Sequence, residues 1–204
     1  MSRNFLKNLF ERFRIFEYMG VIKTKRDDCD TSRFVEDYLS TWEKYRFLKN
    51  AELSDIPDKK LLNAVNSWIS NIIKNEYKVL SSLPKPCQNV YCCNTVIAEV
   101  FNGGFNQLFF NRMVQLAEMS IEGFLALGVP ELSNVMAKAI ELYQQNKPVL
   151  DSYNDGTLES FSASYQERIF DDLDNEFFDG CDYLGYDDAK YVQYIRQNAE
   201  CFGD

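Results

Sequence analysis

Apolar residues recur at helical spacing along most of the chain, and no stretch alternates apolar and polar residues as a half-buried β-strand does. The clearest case follows residues 54–57, where a proline can begin a helix. Its predicted buried stripe consists of Leu61, Leu62, Val65, Trp68, Ile69, Ile72, Ile73 and Leu80. Prolines and glycines divide the chain into several such segments. The sequence therefore predicts an all-α fold, a bundle of about seven to nine helices.

Helix boundaries follow from these breaks. In chain order, the predicted helices cover about residues 3–19, 31–50, 57–80, 88–101, 112–127, 130–146, 158–179 and 187–201. Pro148 lies beyond the end of the sixth helix, and Gly180 and Gly185 separate the last two. We predict a single all-α domain over residues 1–204, with residues 1–30 as a loosely packed N-terminal helix.

Histidine is absent from the chain, which removes the commonest general base and the commonest metal ligand. Ser-His-Asp and Cys-His catalysis are therefore excluded. The six cysteines form no C-x-x-C pair, so they do not indicate a structural zinc site. Their spacing does not suggest a disulfide framework either, and we predict free, mostly buried thiols. We expect no cofactor and no metal.

The N-terminal sequence indicates in which cellular compartment the protein resides. Its apolar residues are interrupted by Lys7, Glu11, Arg12 and Arg14, so it lacks the apolar core of a signal peptide. The chain also has no apolar run of the roughly 18 residues that a membrane span needs. A basic helix near the N-terminus could lie on a membrane surface, but packing on the domain is the more usual arrangement. We predict a cytoplasmic protein without membrane attachment.

The stretch FNGGFNQLFFN breaks the helical pattern with two adjacent glycines. We interpret it as a helix end, where Asn102 or Gly103 takes the left-handed conformation and Gly104 lets the chain turn away. Phe105 and Phe109 then enter the core. The side-chain amides here need partners if they are buried, and we predict loop backbone groups in that role. These amides belong to Asn102, Asn106, Gln107 and Asn111.

Glu99 precedes this corner, and a buried structural glutamate bonded to backbone amides is the favoured interpretation. The alternative is an enzyme that uses the corner residues Glu99, Asn102, Gln107 and Asn111. An open pocket at the corner would favour the enzyme, whereas a sealed corner favours a structural role. We predict no catalytic residue and a structural role for the motif, which comprises Glu99, Asn102, Gly103, Gly104, Phe105, Gln107, Phe109 and Asn111.

Acidic residues are concentrated in the last quarter of the chain. Residues 151–204 carry 14 acidic and three basic residues, and the same segment is rich in Phe and Tyr. Disordered segments are poor in aromatics, so we expect folded helices with an apolar face and an acidic one. That face either aids solubility or binds a basic partner. Its predicted residues are Asp171, Asp172, Asp174, Glu176, Asp179, Asp182, Asp187 and Asp188.

The same carboxylates do not match an EF-hand loop. That loop needs Gly at its sixth position and Glu at its twelfth. Counted from Asp172, those positions hold Phe177 and Tyr183. We therefore do not predict a calcium site.

Two motifs give the chain a resemblance to a known family. The first has the form E-x-x-N-G-G-F-x-Q-x-F-x-N and runs from Glu99 to Asn111 without a mismatch. The second is weaker and consists of Leu173, Asp174 and Phe177. Over roughly residues 60–200, the chain resembles the DMP-type DNA-mimic family of bacteria.

The resemblance implies an all-α fold, often dimeric, in which an acidic surface imitates duplex DNA and occupies a basic DNA-binding protein. It implies no direct binding of nucleic acid. Two features depart from that role: the net charge is only −9, and the first 26 residues carry seven basic and two acidic residues. We predict a non-enzymatic interaction protein with a basic DNA-binding protein as its partner, and a homodimer as one arrangement of the chain.

Overall fold

The structure is a computed structural model that describes residues 39–74, 76–155, 157–185 and 188–204. These residues form helices and turns without a β-strand, so the predicted all-α fold is confirmed. All of them belong to the same compact unit. The predicted helix over residues 3–19, the N-terminal segment 1–30 and the start of the predicted helix 31–50 lie outside the described residues. The extent of a single domain over residues 1–204 stays a prediction.

Eight α-helices have both ends within the described residues. They are α1 (Asp58–Ile73), α2 (Tyr77–Leu80), α3 (Lys85–Phe110), α4 (Val114–Ala126), α5 (Pro130–Ser152), α6 (Leu158–Ser164), α7 (Asp171–Cys181) and α8 (Ala189–Gln197). Helical backbone at residues 39–45 and a 3-10 turn at Asn50–Asp55 precede them. Further 3-10 turns lie at Tyr165–Glu167, Asp182–Leu184 and Ala199–Cys201.

Helix α1 forms where the sequence places a proline before an amphipathic run. Pro57 lies at the N-cap with φ −58° and ψ 141°, and Lys74 ends the helix in the left-handed conformation with φ 45°. The predicted apolar stripe is buried, apart from Ile72, which is partly buried. Leu80 is also buried but lies in the separate helix α2.

Helix α4 packs between α3 and α5, and these three helices form the centre of the described fold. Helix α7 packs against α3 and α5, while α8 packs against α1 and α3. The approach of α7 to α5 is close, because a Cβ at Gly180 would lie 2.8 Å from Leu132 Cδ2. The prediction that Gly180 separates two helices is wrong, since it is buried inside α7. Its missing side chain allows tight packing.

Helix α5 continues beyond Pro148 to its end at Ser152, so the predicted end near residue 146 is wrong. A proline inside a helix removes one backbone hydrogen bond. Two features of the last turn oppose that loss: Leu150 is buried, and Lys147 forms an ion pair with Asp151 one turn further on.

The C-terminal helices are shorter than predicted. The predicted helix 158–179 is divided at Arg168, whose backbone is left-handed with φ 52°. The last helix follows Asp188, which is also left-handed with φ 59°. A left-handed residue cannot continue a right-handed helix, which explains both boundaries.

The end of the chain is bonded to the segment that precedes α1. The Asp204 N–H donates to the Leu48 carbonyl (3.1 Å), and the Asn50 N–H donates to the Asp204 carbonyl (3.3 Å). Asn50 Nδ2 donates to the carbonyls of Ala199 (2.6 Å) and Phe202 (2.8 Å). These bonds join the two ends of the described fold.

The five cysteines of the described residues are free thiols, as predicted. Cys87, Cys92 and Cys93 are buried. Burial raises the pKa of the Cys87 thiol to about 12 and raises the pKa of Cys93 as well. A thiol with a raised pKa stays protonated at neutral pH and reacts slowly. Cys29 lies outside the described residues.

Helix α3 is kinked at the two glycines of the FNGGF stretch. Gly103 has φ −171° and ψ 35°, and Gly104 has φ 67° and ψ −176°. Gly104 thus occupies a region that is essentially restricted to glycine. The predicted helix break is confirmed. The residue with positive φ is Gly104, however, rather than Asn102 or Gly103, and helical backbone resumes over residues 105–110.

Replacement of Gly104 by Ala tests whether the kink requires glycine. A Cβ at Gly104 would lie 2.3 Å from Asp174 Oδ2, on a backbone conformation that L-residues avoid. We expect Gly104→Ala to lower the free energy of unfolding by about 2–4 kcal/mol, as measured by urea denaturation.

Gly128→Ala provides the matched control. Gly128 also has a positive φ of 75°, but the nearest atom to an added Cβ there is Lys190 Nζ at 3.6 Å. We expect a loss of about 1 kcal/mol from backbone strain alone. Equal losses in the two variants would contradict the predicted clash at Gly104.

Candidate functional site

A buried carboxylate holds the two halves of helix α3 together. Glu99 lies before the kink, and Gln107 and Asn111 lie after it. Gln107 Nε2 and Asn111 Nδ2 both donate to Glu99 Oε2, at 3.0 and 2.7 Å. Positions eight residues apart on a straight helix are separated by about 12 Å, so these bonds depend on the kink. The prediction of backbone partners for these two amides is therefore wrong.

The corner is also bonded to α6 and the turn that follows it. Asn106 Nδ2 donates to Ser164 Oγ at 2.7 Å, and Ser164 Oγ donates to the Phe161 carbonyl at 2.6 Å. The Tyr165 hydroxyl donates to the Gly103 carbonyl at 2.7 Å. The Gly103 carbonyl at the kink thus has a side-chain donor from outside helix α3.

Asp174 caps the second half of helix α3. The Phe105 N–H donates to Asp174 Oδ1 at 2.7 Å, which satisfies a donor that the kink leaves without an intrahelical acceptor. The carboxylate occupies the space that a side chain at Gly104 would need. The two family-like motifs of the sequence therefore meet in space. The predicted exposure of Asp174 on the acidic face is wrong, because its carboxylate points into this corner.

Aromatic rings surround the Asp174–Phe105 hydrogen bond. Phe105 lies edge-on to Phe177 at 5.3 Å between ring centroids, and tilted to Phe170 at 6.1 Å. Phe109 stacks on Tyr143 at 4.4 Å with an interplanar angle of 13°. Phe105 and Phe109 are buried, as predicted. The contacts of Phe105 hold α7 on the kinked helix, and the Phe109–Tyr143 stack joins that helix to α5.

The pKa of Asp174 is raised to about 6. Burial is the main cause, and the negative charge of Asp171 adds to it, whereas the Phe105 N–H opposes it by stabilising the carboxylate. The ionised form of Asp174 therefore predominates at neutral pH but is less favourable than in water.

The remaining carboxylates of α7 and its following turn lie on one side. We define the acidic face by the surface carboxylates Asp171, Asp172, Glu176, Asp179 and Asp182. At 100° per residue, these positions fall within an arc of about 140°, and the buried Phe177 and Gly180 lie outside it. Asp188 is exposed at the start of α8, and Asp187 lies outside the described residues.

The acidic face approaches the linear charge density of one DNA strand. Residues 171–182 span about 17 Å along a helix, so its five carboxylates follow one another at about 4 Å along the axis. A single strand of B-DNA carries one charge per about 3.4 Å, and the duplex carries twice that density.

Two cations lie beside the acidic face. Arg168 Nε is 2.6 Å from Asp171 Oδ2, and Lys138 Nζ is 2.6 Å from Glu176 Oε1. The arginine and lysine side chains are 78% and 55% exposed, so both ion pairs face solvent. Exposed pairs of this kind contribute about 0–1 kcal/mol each.

The described part of the chain offers no cluster of three or more His, Cys, Asp or Glu side chains that could hold a metal ion. Among the described helices, none has the length and apolar character that crossing a membrane requires.

A cleft of about 470 Å³ adjoins the corner. Asn106 and Ser164 belong to its lining, but Glu99, Gln107 and Asn111 do not. The carboxylate of the motif is 8% exposed and is held by two amides. Glu99 is therefore buried away from this cleft, whereas Asn106 lines it.

Two features of the site were not predicted from the sequence. The sequence does contain an indication that Asp174 is buried, because Phe170, Asp174 and Phe177 follow the spacing of a buried helix stripe. Arg112 and Lys147, which line the cleft, carry no such signal. They come together only through the packing of α3 against α5.

The fold and both motifs agree with the family comparison. The model of the DMP19-like protein family matches residues 81–198, which is more than half of the chain. This segment includes the kinked helix, the corner and the acidic face. The chain therefore belongs to the DMP19-like protein family. The comparison with curated proteins produced no significant match.

The raised pKa of Asp174 predicts a pH dependence of stability. The folded-state pKa of about 6 exceeds the ordinary value of 3.8, so the folded protein binds more protons between these values. The contribution of Asp174 to stability therefore falls as the pH rises from about 4 to 6. Asparagine does not titrate, so Asp174→Asn removes this fall. We expect the variant to gain about 1 kcal/mol relative to wild type between pH 4 and 7, since partial exposure reduces the full effect.

Urea unfolding of both proteins at several pH values measures this difference. Asp172→Asn removes a charge from an exposed position of the same helix and serves as the control. A constant difference between Asp174→Asn and wild type from pH 4 to 7 would refute the proposed environment of Asp174.

Proposed function

We propose that this protein is a non-enzymatic interaction protein whose acidic face occupies the DNA-binding surface of a basic partner. The observation that carries this proposal is the row of carboxylates on α7 and the turn after it, whose spacing approaches that of phosphates along a DNA strand. Membership of the DMP19-like protein family supports the same conclusion.

Rigidity of the supporting helix favours a mimic. A surface that imitates DNA must hold its charges in place, since ordering them on binding would reduce affinity. Helix α7 is held by the buried Phe177, by the close contact of Gly180 with Leu132, and by the Asp174–Phe105 hydrogen bond. The helix that carries these carboxylates therefore packs against both α3 and α5.

The two ion pairs of the acidic face are compatible with partner binding. Arg168 and Lys138 are exposed and flexible side chains, and their pairs with Asp171 and Glu176 are weak in water. A partner that presents several arginines or lysines can displace them, because multidentate guanidinium contacts to carboxylates are stronger than single exposed pairs.

An aromatic side chain lies at one end of the acidic face. Tyr183 follows Asp182 directly and is 58% exposed. Exposed tyrosines often anchor protein interfaces, since they combine a large apolar ring with a hydroxyl. This feature favours a protein partner over a simple polycation.

The alternative of an enzyme receives partial support. The cleft beside Asn106 is an opening at the corner, which such an enzyme would need. Glu99, however, does not line the cleft and accepts hydrogen bonds from Gln107 and Asn111. A carboxylate engaged in this way is a structural acceptor, so we favour the interaction protein.

A homodimer remains part of the proposal. Two-fold symmetry would place a second acidic face beside the first and bring the charge density nearer to that of duplex DNA. Analytical ultracentrifugation of the purified chain measures its oligomeric state.

Removal of the exposed charges tests the mimic. The variant Asp172→Asn, Glu176→Gln, Asp179→Asn and Asp182→Asn leaves Asp174 in place, so the fold should be retained. Proteins captured by the immobilised wild-type chain from a lysate of its source organism should elute with duplex DNA and with rising salt. Screening shortens from about 10 Å at 0.1 M to about 3 Å at 1 M, which explains the salt effect. The variant should capture the same proteins at least about tenfold more weakly.

A second variant with the same change in net charge is the control. It replaces four exposed glutamates outside α7 by glutamine, namely Glu43, Glu118, Glu122 and Glu200. We expect this control to bind like wild type. Equal weakening in the two variants, or elution that duplex DNA cannot produce, would exclude a DNA-like surface on α7.

A further inference from the structure

The cleft beside the corner has a composition unlike the rest of this acidic chain. Its volume of about 470 Å³ is within the range of small-molecule sites. The polar side chains in its lining include the buried pair Asn106 and Ser164 and two cations, Arg112 and Lys147. The cleft lies between the second half of α3, the end of α5 and the end of α6. It does not include any residue of the acidic face.

The two cations line the same cleft as one carboxylate, Asp151. A hydrogen bond with Asp151 raises the pKa of Lys147, whereas the nearby positive charge of Arg112 opposes that effect. Two cations and a single carboxylate leave the lining with a net positive charge. An anion in the cleft would be attracted by this charge.

Arg112 follows helix α3 in the left-handed conformation, with φ 57°. The Met113 N–H donates to the Leu108 carbonyl at 3.2 Å, so this conformation closes the end of the helix. The Arg112 N–H donates to the Phe109 carbonyl at 3.0 Å, and its Nη2 lies 3.5 Å from Asn154 Oδ1. The helix end thus places Arg112 where it lines the cleft.

An aromatic surface forms another wall of the cleft. Phe109 and Tyr143 are nearly parallel, with an interplanar angle of 13°, and both line the cleft together with Phe110. Rings of this kind favour flat apolar groups, which stack on them or contact their edges. A cleft with a cationic wall and an aromatic wall favours a molecule that carries both an anionic group and a flat ring.

We infer that the cleft binds a small organic anion in which a carboxylate or phosphate contacts Arg112 and Lys147 and a flat ring contacts Phe109 and Tyr143. The buried Asn106 amide and Ser164 hydroxyl form the polar end of the cleft. This inference does not rest on the proposed function, because none of the residues that line the cleft belongs to the acidic face. Loss of partner binding and loss of ligand binding can therefore be separated.

Four probe molecules test the two parts of the inferred ligand. Benzoate and phenyl phosphate carry both a ring and an anion, inorganic phosphate carries only the anion, and benzyl alcohol carries only the ring. In NMR titrations of the wild-type protein, we expect at least one of the first two to shift the side-chain amide signals of Asn106 and Asn154. Its affinity should exceed that of either single-part probe by about tenfold.

Variants locate the anion. Arg112→Gln with Lys147→Gln should raise the Kd of the aromatic anion by about tenfold or more. Asp151→Asn should lower the Kd by about threefold, because it removes the carboxylate that competes with the ligand for Lys147. A purely structural role of these residues would not produce tighter binding.

Two positions supply matched controls. Arg168 has the same left-handed conformation, with φ 52°, and Lys85 forms a comparable exposed pair with Glu122. Neither residue lines the cleft. Arg168→Gln and Lys85→Gln should leave the Kd of the aromatic anion within about twofold of wild type.

Several outcomes would overturn the inference. One is the absence of shifts at Asn106 and Asn154 with both aromatic anions up to about 10 mM, well above the Kd range of ligands of this size. Another is equal weakening by the cleft variants and the controls. If the double variant does not fold, the wild-type titrations and Asp151→Asn still decide the question.

Discussion

The hydrogen bond between the Phe105 N–H and the Asp174 carboxylate joins the two parts of the molecule on which its proposed role depends. It caps a half-helix that would otherwise begin with an unsatisfied donor, and it fixes the acidic helix at the same point. Gly104 is required because the carboxylate occupies the volume of its missing side chain. The motif of residues 99–111, whose one charged residue is Glu99, thus positions helix α7 and its carboxylates.

Much of the fold follows from periodicity and helix-breaking residues. The apolar stripe of α1 and the break at the two glycines were predicted correctly, because each depends on neighbours close in sequence. The end of α5 was predicted wrongly. Local propensity favours a stop at Pro148, whereas burial of Leu150 and an ion pair in the last turn continue the helix. Tertiary contacts overrode the local signal there.

The candidate site was predicted less completely. Exposure of a carboxylate depends on what packs against its helix, so composition alone placed Asp174 with its exposed neighbours although its carboxylate is a cap. The partners of Gln107 and Asn111 depend on a kink whose geometry the sequence does not contain. The cleft unites Arg112, in the turn after α3, with Lys147 of α5, which is distant along the chain. A pattern within one segment cannot reveal such a pair.

The segment of residues 105–110 contacts both the acidic helix and the cleft. Its first N–H is bonded to the acidic helix, while Asn106, Phe109 and Phe110 line the cleft. An occupant of the cleft that shifts this short segment therefore also changes the support of α7. Thermodynamic linkage makes such an effect reciprocal. If a cleft ligand increases the affinity of the acidic face for its partner, the cleft of the partner-bound protein must bind that ligand more tightly by the same factor.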